Sequence, residues 1–241
     1  MSEKSSNPWR ATALTLFPDA FPGVLGASII GGAEKSGIWQ LETVDIRNFS
    51  TNRHRTVDDT PAGGGPGMVL KPDVADAAID SVARDGRPLI YLTPRGKPLT
   101  QDRVRQLSSG PGLIVFCGRF EGLDQRVIEA RQMEEISIGD FILAGGEVAA
   151  QAMIEACVRL LPGVLGASSS ADEESFETGL LEYPLYTKPR KWKDRAIPDV
   201  LLSGDHGKIA QWRHEKQIEI TKARRPDLWD AYQNGDGHER D

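Results

Sequence analysis

Three glycine-bearing loops sit where apolar runs of the chain end: Thr93-Pro94-Arg95-Gly96, Gly118-Arg119-Phe120-Glu121-Gly122, and the run IGDFILAGGE from Ile138 to Glu147. Glycine lets a backbone approach a ligand closely and offer its own N–H and C=O groups. Taken singly, each loop is an ordinary turn. Three of them at one sheet edge would instead form a ligand pocket. A longer run, RHRTVDDTPAGGGPGM (53–68), joins basic residues, two adjacent carboxylates and four glycines within five positions. It reads either as a surface loop held by Arg–Asp pairs or as a recognition loop, the usual use of long loops. Two further features have bland readings on composition alone. The acidic stretch SADEESF (170–176) is a solvated linker, and Arg159 is a helix C-terminal cation facing the dipole.

Several chemistries are excluded by what the sequence lacks. It has no GxxxxGK[ST] phosphate loop and no GxGxxG following a strand, which argues against most kinases and dehydrogenases. HExxH and CxxC are also absent, so a zinc hydrolase has little support. Cys117 and Cys157 both lie in apolar segments and read as core thiols of a reducing, cytoplasmic setting. No apolar run approaches the roughly 18 residues of a membrane span, and the polar start MSEKSSNPWR lacks a secretory pattern. No membrane partner is expected.

The elements that must position these loops alternate in type. Strands are expected over 11–17, 87–93, 112–118 and 136–143, with helices over 74–85 and 147–161. That order indicates an α/β domain with a largely parallel sheet. At 39% hydrophobic, 27% charged and mean hydropathy −0.38, the chain is an ordinary globular protein rather than a disordered or fibrous one. Residues 1–165 form the first expected domain, 166–185 a mobile linker, and 186–241 a small helical domain with a polar tail. In that last region 203–229 reads as helix, turn and helix, with Ser203 as N-cap, Asp205 in the first turn and a break at Pro226. The net charge of −6 hides an asymmetry: Tyr186 to Arg225 holds eleven Lys or Arg against five Asp or Glu. An acidic body with a basic module can bind RNA, because phosphates respond to the local field.

Seven segments carry a resemblance: RHRTVDDTPAGGGPGM, YLTPRG, CGRFEGLDQRV, SIGDFILAGGE, RLLPGVLG, ESFETGLLEYPLYTKP and LLSGDHGKIAQWR. Their order and spacing, over residues 11 to 229, closely resemble the TrmD family of bacterial tRNA (guanine-N1)-methyltransferases, in the SPOUT superfamily. The resemblance implies an N-terminal SPOUT-type domain whose parallel sheet carries a deep trefoil knot, and a bent S-adenosyl-L-methionine held by the knotted loops. On this chain those are Tyr91, Leu92, Thr93 and Pro94, then Gly118, Phe120, Glu121 and Gly122. Ser137, Ile138, Gly139, Asp140, Phe141, Ile142, Leu143, Gly145 and Gly146 complete the loops, with Glu182 near the cofactor's amino group. Phe120 stands where the family usually has Tyr, so the ring can still pack but offers no hydroxyl.

The reaction implied is methylation of N1 of guanosine 37 in tRNA. N1 is protonated at neutral pH, so a base must remove its proton while charge develops toward O6. The family's base position falls on Glu174, where Asp is usual, with Asp172 and Glu173 as rivals; Glu182 likewise replaces an Asp. Arg159 matches the arginine that meets the developing charge, and Glu121 would anchor it or the cofactor. Arg53, His54, Arg55, Asp59 and Gly67 would hold the guanosines at positions 36 and 37. Lys208, Arg213, Lys216, Lys222, Arg224 and Arg225 would grip phosphates. Trp212 reads as core rather than as a stacking platform. The family pattern also implies a homodimer with a shared site and a dependence on Mg2+, for which no ligand set follows from spacing. Two alternatives remain: a knotted methyltransferase acting on a ribose 2′-hydroxyl or another base, and an RNA-binding protein without turnover.

Overall fold

The computed structural model describes residues 7–166 and 174–235. The chain divides into two compact units, Met1–Gly166 and Ala167–Asp241.

The first unit is built on a five-stranded parallel sheet, which bears out the expected α/β class. Its strands are β1 (Trp9–Thr15), β2 (Trp39–Asp45), β5 (Leu89–Pro98), β6 (Gly112–Phe116) and β7 (Glu134–Ser137), in the order β2-β1-β6-β5-β7. The helices are α1 (Ser28–Lys35), α2 (Pro72–Asp80), α3 (Gln101–Ser109), α4 (Gln125–Ala130) and α5 (Glu147–Val158). A two-residue antiparallel pair, β3 (Asp58–Asp59) with β4 (Val69–Leu70), closes the glycine-rich run into a hairpin loop.

The central strands are apolar throughout because both sheet faces are covered. Ala11, Ala13, Ile90, Leu92, Leu113 and Val115 point to one face, where α1, α3 and α5 supply Ile30, Val104, Met153 and Ile154. Leu14, Leu89, Tyr91, Ile114 and Phe116 point to the other, where α2 and α4 supply Val74, Ile79, Val127 and Ile128. Truncating a side chain as buried as Met153 or Ile154 would cost about 2–5 kcal/mol.

Where the elements differ from the sequence reading, local chemistry gives the reason. The strand expected at 136–143 ends at Ser137. There the Ser137 hydroxyl accepts from the Gly139 N–H at 3.2 Å and donates to its carbonyl at 3.1 Å, turning the chain out of the sheet. The apolar run that follows is exposed instead of paired, Ile142 at 80%. The strand expected at 87–93 continues to Pro98, with a register break between Leu92 and Lys97 that lets Thr93–Gly96 bulge out beside β7. Helix α2 starts at Pro72 and stops at Asp80, and α5 stops at Val158. Strand β1 begins at Trp9, two residues before the strand expected over 11–17.

The second unit holds a hairpin of β8 (Lys191–Trp192) and β9 (Arg195–Ala196), then α6 (Asp199–Leu202), α7 (His206–Arg224) and α8 (Pro226–Gln233). The N-cap of α7 is Asp205, whose carboxylate accepts from the Lys208 N–H at 3.1 Å; Ser203 instead ends α6. The break at Pro226 falls as expected, at the first position of α8. Thr221, fully buried, donates to the Gln217 carbonyl at 2.7 Å and accepts from the Leu181 N–H at 2.9 Å. This ties the end of the 174–182 segment to α7.

Candidate functional site

Strands β5, β6 and β7 end side by side, and the loop leaving each carboxyl end wraps one cavity of ≈ 260 Å³. Its volume lies just under the ~300–1,000 Å³ usual for small-molecule sites. Tyr91, Leu92, Thr93 and Pro94 come from the first loop, and Gly118, Phe120, Glu121 and Gly122 from the second. Ser137, Ile138, Gly139, Phe141, Ile142, Leu143, Gly145 and Gly146 come from the third. Asp140 lies on that loop but is exposed and outside the lining, and Glu182 belongs to the second unit. Arg119, Ile136, Ala144 and Ala149 also line the cavity; of these, Ile136 and Ala149 lie outside the three loops that the sequence marked.

The loops are fixed to one another before any ligand arrives. Gly146 N–H donates to the Gly118 carbonyl at 2.9 Å, joining the second loop to the third. The Tyr91 hydroxyl oxygen accepts from the Leu123 N–H at 3.1 Å, and the ring meets Phe116 edge-on at 6.2 Å. Burial pushes this phenol above its ordinary pKa, so it is neutral at physiological pH. Gly122, at φ +123°, is the residue this packing requires: a Cβ there would stand 2.9 Å from the Tyr91 hydroxyl.

Beneath the cavity lies an ion pair that no local pattern announces. Glu147, buried at the first position of α5, accepts from Arg119 at 2.8 Å and from the Thr15 hydroxyl at 2.7 Å. The Arg119 guanidinium also reaches the Ala144 carbonyl at 3.3 Å and lies 4.3 Å over the Phe17 ring. The acid suits the positive end of the helix dipole as well.

The glycine-rich hairpin loop reaches the same place. Glu121 N–H donates to the Met68 carbonyl, and Leu70 N–H to the Gly122 carbonyl, both at 2.9 Å. Gly67, at φ +83°, packs so tightly under Glu121 that a Cβ would fall 2.3 Å from its carboxylate oxygen. Arg53, His54, Arg55 and Asp59 are all exposed in this region, Arg55 bonded to the Asn48 side chain and Asp59 accepting from the Thr60 N–H at 2.8 Å.

Other residues lie elsewhere. Arg159 caps the far end of α5, ten residues beyond the cavity-lining Ala149 and so ~15 Å along the helix axis from the cavity. Glu174 is half-buried in the second unit, where its carbonyl accepts from the Glu177 N–H at 3.2 Å, and the Glu182 N–H donates to the Ser175 hydroxyl at 2.9 Å. Asp172 and Glu173 lie outside the described residues. In α7 and α8 most cations already have partners: Lys208 with Asp205, Lys216 with Glu219, Arg225 with Asp227, and Arg213 over the Tyr183 ring. Lys222 covers Trp229, while Arg224 is exposed. Trp212 is half-buried with its ring 6.2 Å from Tyr186, as a packing residue would be. Both cysteines are buried, and burial pushes the Cys157 thiol up to about 12 and that of Cys117 well above its ordinary value. Neither is a nucleophile.

Comparison with known proteins decides the assignment. The model of the family described as tRNA (Guanine-1)-methyltransferase TrmD matches residues 9–231. The chain belongs to that family. It is 63% identical over 224 residues to the tRNA (guanine-N(1)-)-methyltransferase of Rhodopseudomonas palustris (strain TIE-1), covering 92% of this chain and 90% of the relative. It is 60% identical over 232 residues to the protein of the same name from Brucella ovis, covering 96% of each. No helix among the described residues is long and apolar enough to cross a membrane.

Proposed function

We propose that this enzyme, a tRNA (guanine-N1)-methyltransferase, methylates N1 of guanosine 37 in tRNAs that carry guanosine at positions 36 and 37, with S-adenosyl-L-methionine as donor. The observation that carries the reading is the convergence of four loops: three form the cavity, and the fourth, through Gly67 and Met68, is bonded to its Glu121 edge. The cavity fits the donor's chemistry. Leu92, Ile138 and Leu143 offer apolar walls for an adenine ring, and the glycine-bearing loops bring backbone groups to its polar edge. When bound, the donor supplies a methyl group on a positively charged sulfur. In this reading the three loops form the deep trefoil knot of SPOUT proteins.

The chain's own residues must then manage one proton and one developing charge. A carboxylate at Glu174 accepts the N1 proton as N1 becomes the nucleophile, and the Arg159 guanidinium stabilises charge building toward O6. Guanosine 37 is unpaired in the anticodon loop, so presenting its Watson–Crick edge costs little. Arg53, His54, Arg55 and Asp59 surround the entry for the guanosines, and the cations of α7 and α8 add phosphate contacts.

Two features support a homodimer. Arg159 lies ~15 Å along α5 from its own cavity, which favours a role at a second copy's cavity. The cavity lining also exposes Phe120, Phe141 and Ile142, an apolar surface suited to a partner. Mg2+ stays an expectation of the family: among the described residues no group of three or more His, Cys, Asp or Glu could hold a metal, and no step here runs through one.

Primer extension on enzyme-treated tRNA tests the position. A methyl on N1 removes the donor that pairs with cytosine, so reverse transcription should halt one nucleotide before residue 37. Read-through of a fully labelled product would place the methyl elsewhere, at a ribose or on another base.

A further inference from the structure

The basic stretch Tyr186 to Pro198 has no part in the site above, yet it forms one of the most exposed cation-rich features of the second unit. Lys191 pairs with Ala196 and Trp192 with Arg195, and Ile197 N–H donates to the Arg190 carbonyl at 3.0 Å. Side chains directly opposite one another share a face, and those two apart along a strand share it too. Arg190, Trp192 and Arg195 therefore line one face of the hairpin, the indole between two guanidiniums. Trp192 is 57% exposed, and Lys193 stands 4.8 Å over its ring. The opposing charge is slight. Asp194 is fully exposed at the tip and, among the described residues, forms an ion pair only with Lys191, at 3.9 Å. Arg190 and Arg195 have no ion pair among the described residues, in contrast to Lys208, Lys216 and Arg225 of the helices.

An exposed indole flanked by two cations without an ion pair among the described residues offers a ligand both a stacking surface and positive charge. A phosphate-bearing chain with unstacked bases has the matching chemistry, because every base offers a π-face and the guanidiniums can take adjacent phosphates. We infer that the Lys191–Ala196 hairpin is a single-stranded RNA contact, with Trp192 stacking on an unpaired nucleotide of the tRNA and Arg190 and Arg195 gripping the flanking backbone. The inference rests on the reading of tRNA as substrate and adds a contact outside the methyl-transfer site.

The test uses the full chain and an unmodified tRNA transcript with guanosine at 36 and 37. Trp192→Ala should weaken tRNA binding about 5- to 150-fold, the range for losing one stacked base. The single-turnover rate at saturating tRNA and the affinity for S-adenosyl-L-methionine should be unchanged, since the hairpin touches neither. Trp192→Phe should restore most of the affinity, and Arg190→Gln or Arg195→Gln should each lower the salt slope of binding by about 0.7. A melting temperature equal to that of the unsubstituted chain would exclude a folding defect as the cause. Unchanged tRNA affinity in Trp192→Ala, or a Phe variant as weak as Ala, would overturn the inference and leave the methyltransferase reading intact. Failure of the unsubstituted chain to bind the transcript would defeat that reading itself.

Discussion

Arg119 and Glu147 stand 28 residues apart in sequence and 2.8 Å apart in space, joining the second cavity loop to the start of α5. The Glu147 side chain is 3% exposed and that of Arg119 24%. Breaking such a pair strands a charge in a poorly solvated place. Glu147→Ala should lower the unfolding free energy by about 2–4 kcal/mol, less than for a fully buried pair because water still reaches Arg119. It should also weaken S-adenosyl-L-methionine binding at least tenfold, because Gly145 and Gly146 lose their anchor. Denaturant unfolding and calorimetric titration measure the two effects, and a variant with normal stability and affinity would show that the pair does not hold the loops.

Glu174→Gln should abolish methyl transfer while S-adenosyl-L-methionine still binds. The amide keeps the shape of the side chain and cannot accept the N1 proton. Full activity in this variant would move the role to Asp172 or Glu173.

Arg159→Ala should cut the single-turnover rate by roughly 10²–10³, the scale for losing one donor to a developing charge, while leaving cofactor affinity within a few-fold. An unchanged single-turnover rate would return Arg159 to the role of a helix cap.

Sedimentation should give about twice the 26.4 kDa chain mass. Mixing the impaired Arg159→Ala and Glu147→Ala chains at low S-adenosyl-L-methionine should give more activity than either alone, since one hybrid site would then carry neither substitution. A clean monomer with full activity would contradict the shared site.

The three glycine loops were legible because glycine marks chain reversals, and the family motifs bracket them. The Arg119–Glu147 pair was not. Glu147 looks like an ordinary first-turn acid and Arg119 like a loop cation, and only the adjacency of β6 and α5 unites them. The apolar run after Ser137 reads as strand by composition, yet a hydroxyl bonded to Gly139 turns it outward. Helix α1 carries two adjacent glycines, Gly31 and Gly32, which hide its periodicity, and β2 (WQLETVD) is polar because it lies at the sheet edge. That Arg159 lies at the end of α5 away from the cavity is a matter of length, fixed by the ten residues from Ala149 to Arg159, and becomes visible only once both helix ends are located.

The buried thiols give a pH dependence with a definite sign. Cys157 titrates near 12 in the folded chain against about 9 for an ordinary thiol, so the unfolded chain loses its proton first. Stability contributed by the protonated thiol is complete below pH 9 and falls by about 1.4 kcal/mol per pH unit above it, until the folded thiol also ionises. Unfolding free energies at pH 8, 9 and 10 should show this decline, and Cys157→Ala should reduce its slope. An equal slope in that variant would assign the alkaline loss to other groups.

Labelled methyl transfer from S-adenosyl-L-methionine to two unmodified tRNA transcripts tests the central claim most directly. One transcript carries guanosine at positions 36 and 37, and the other differs only in having adenosine at 37. Labelling of the first alone is the predicted result, and it fixes donor, substrate and position together. Equal labelling of both, or of neither with Mg2+ present and cofactor bound, would contradict methylation of N1 of guanosine 37.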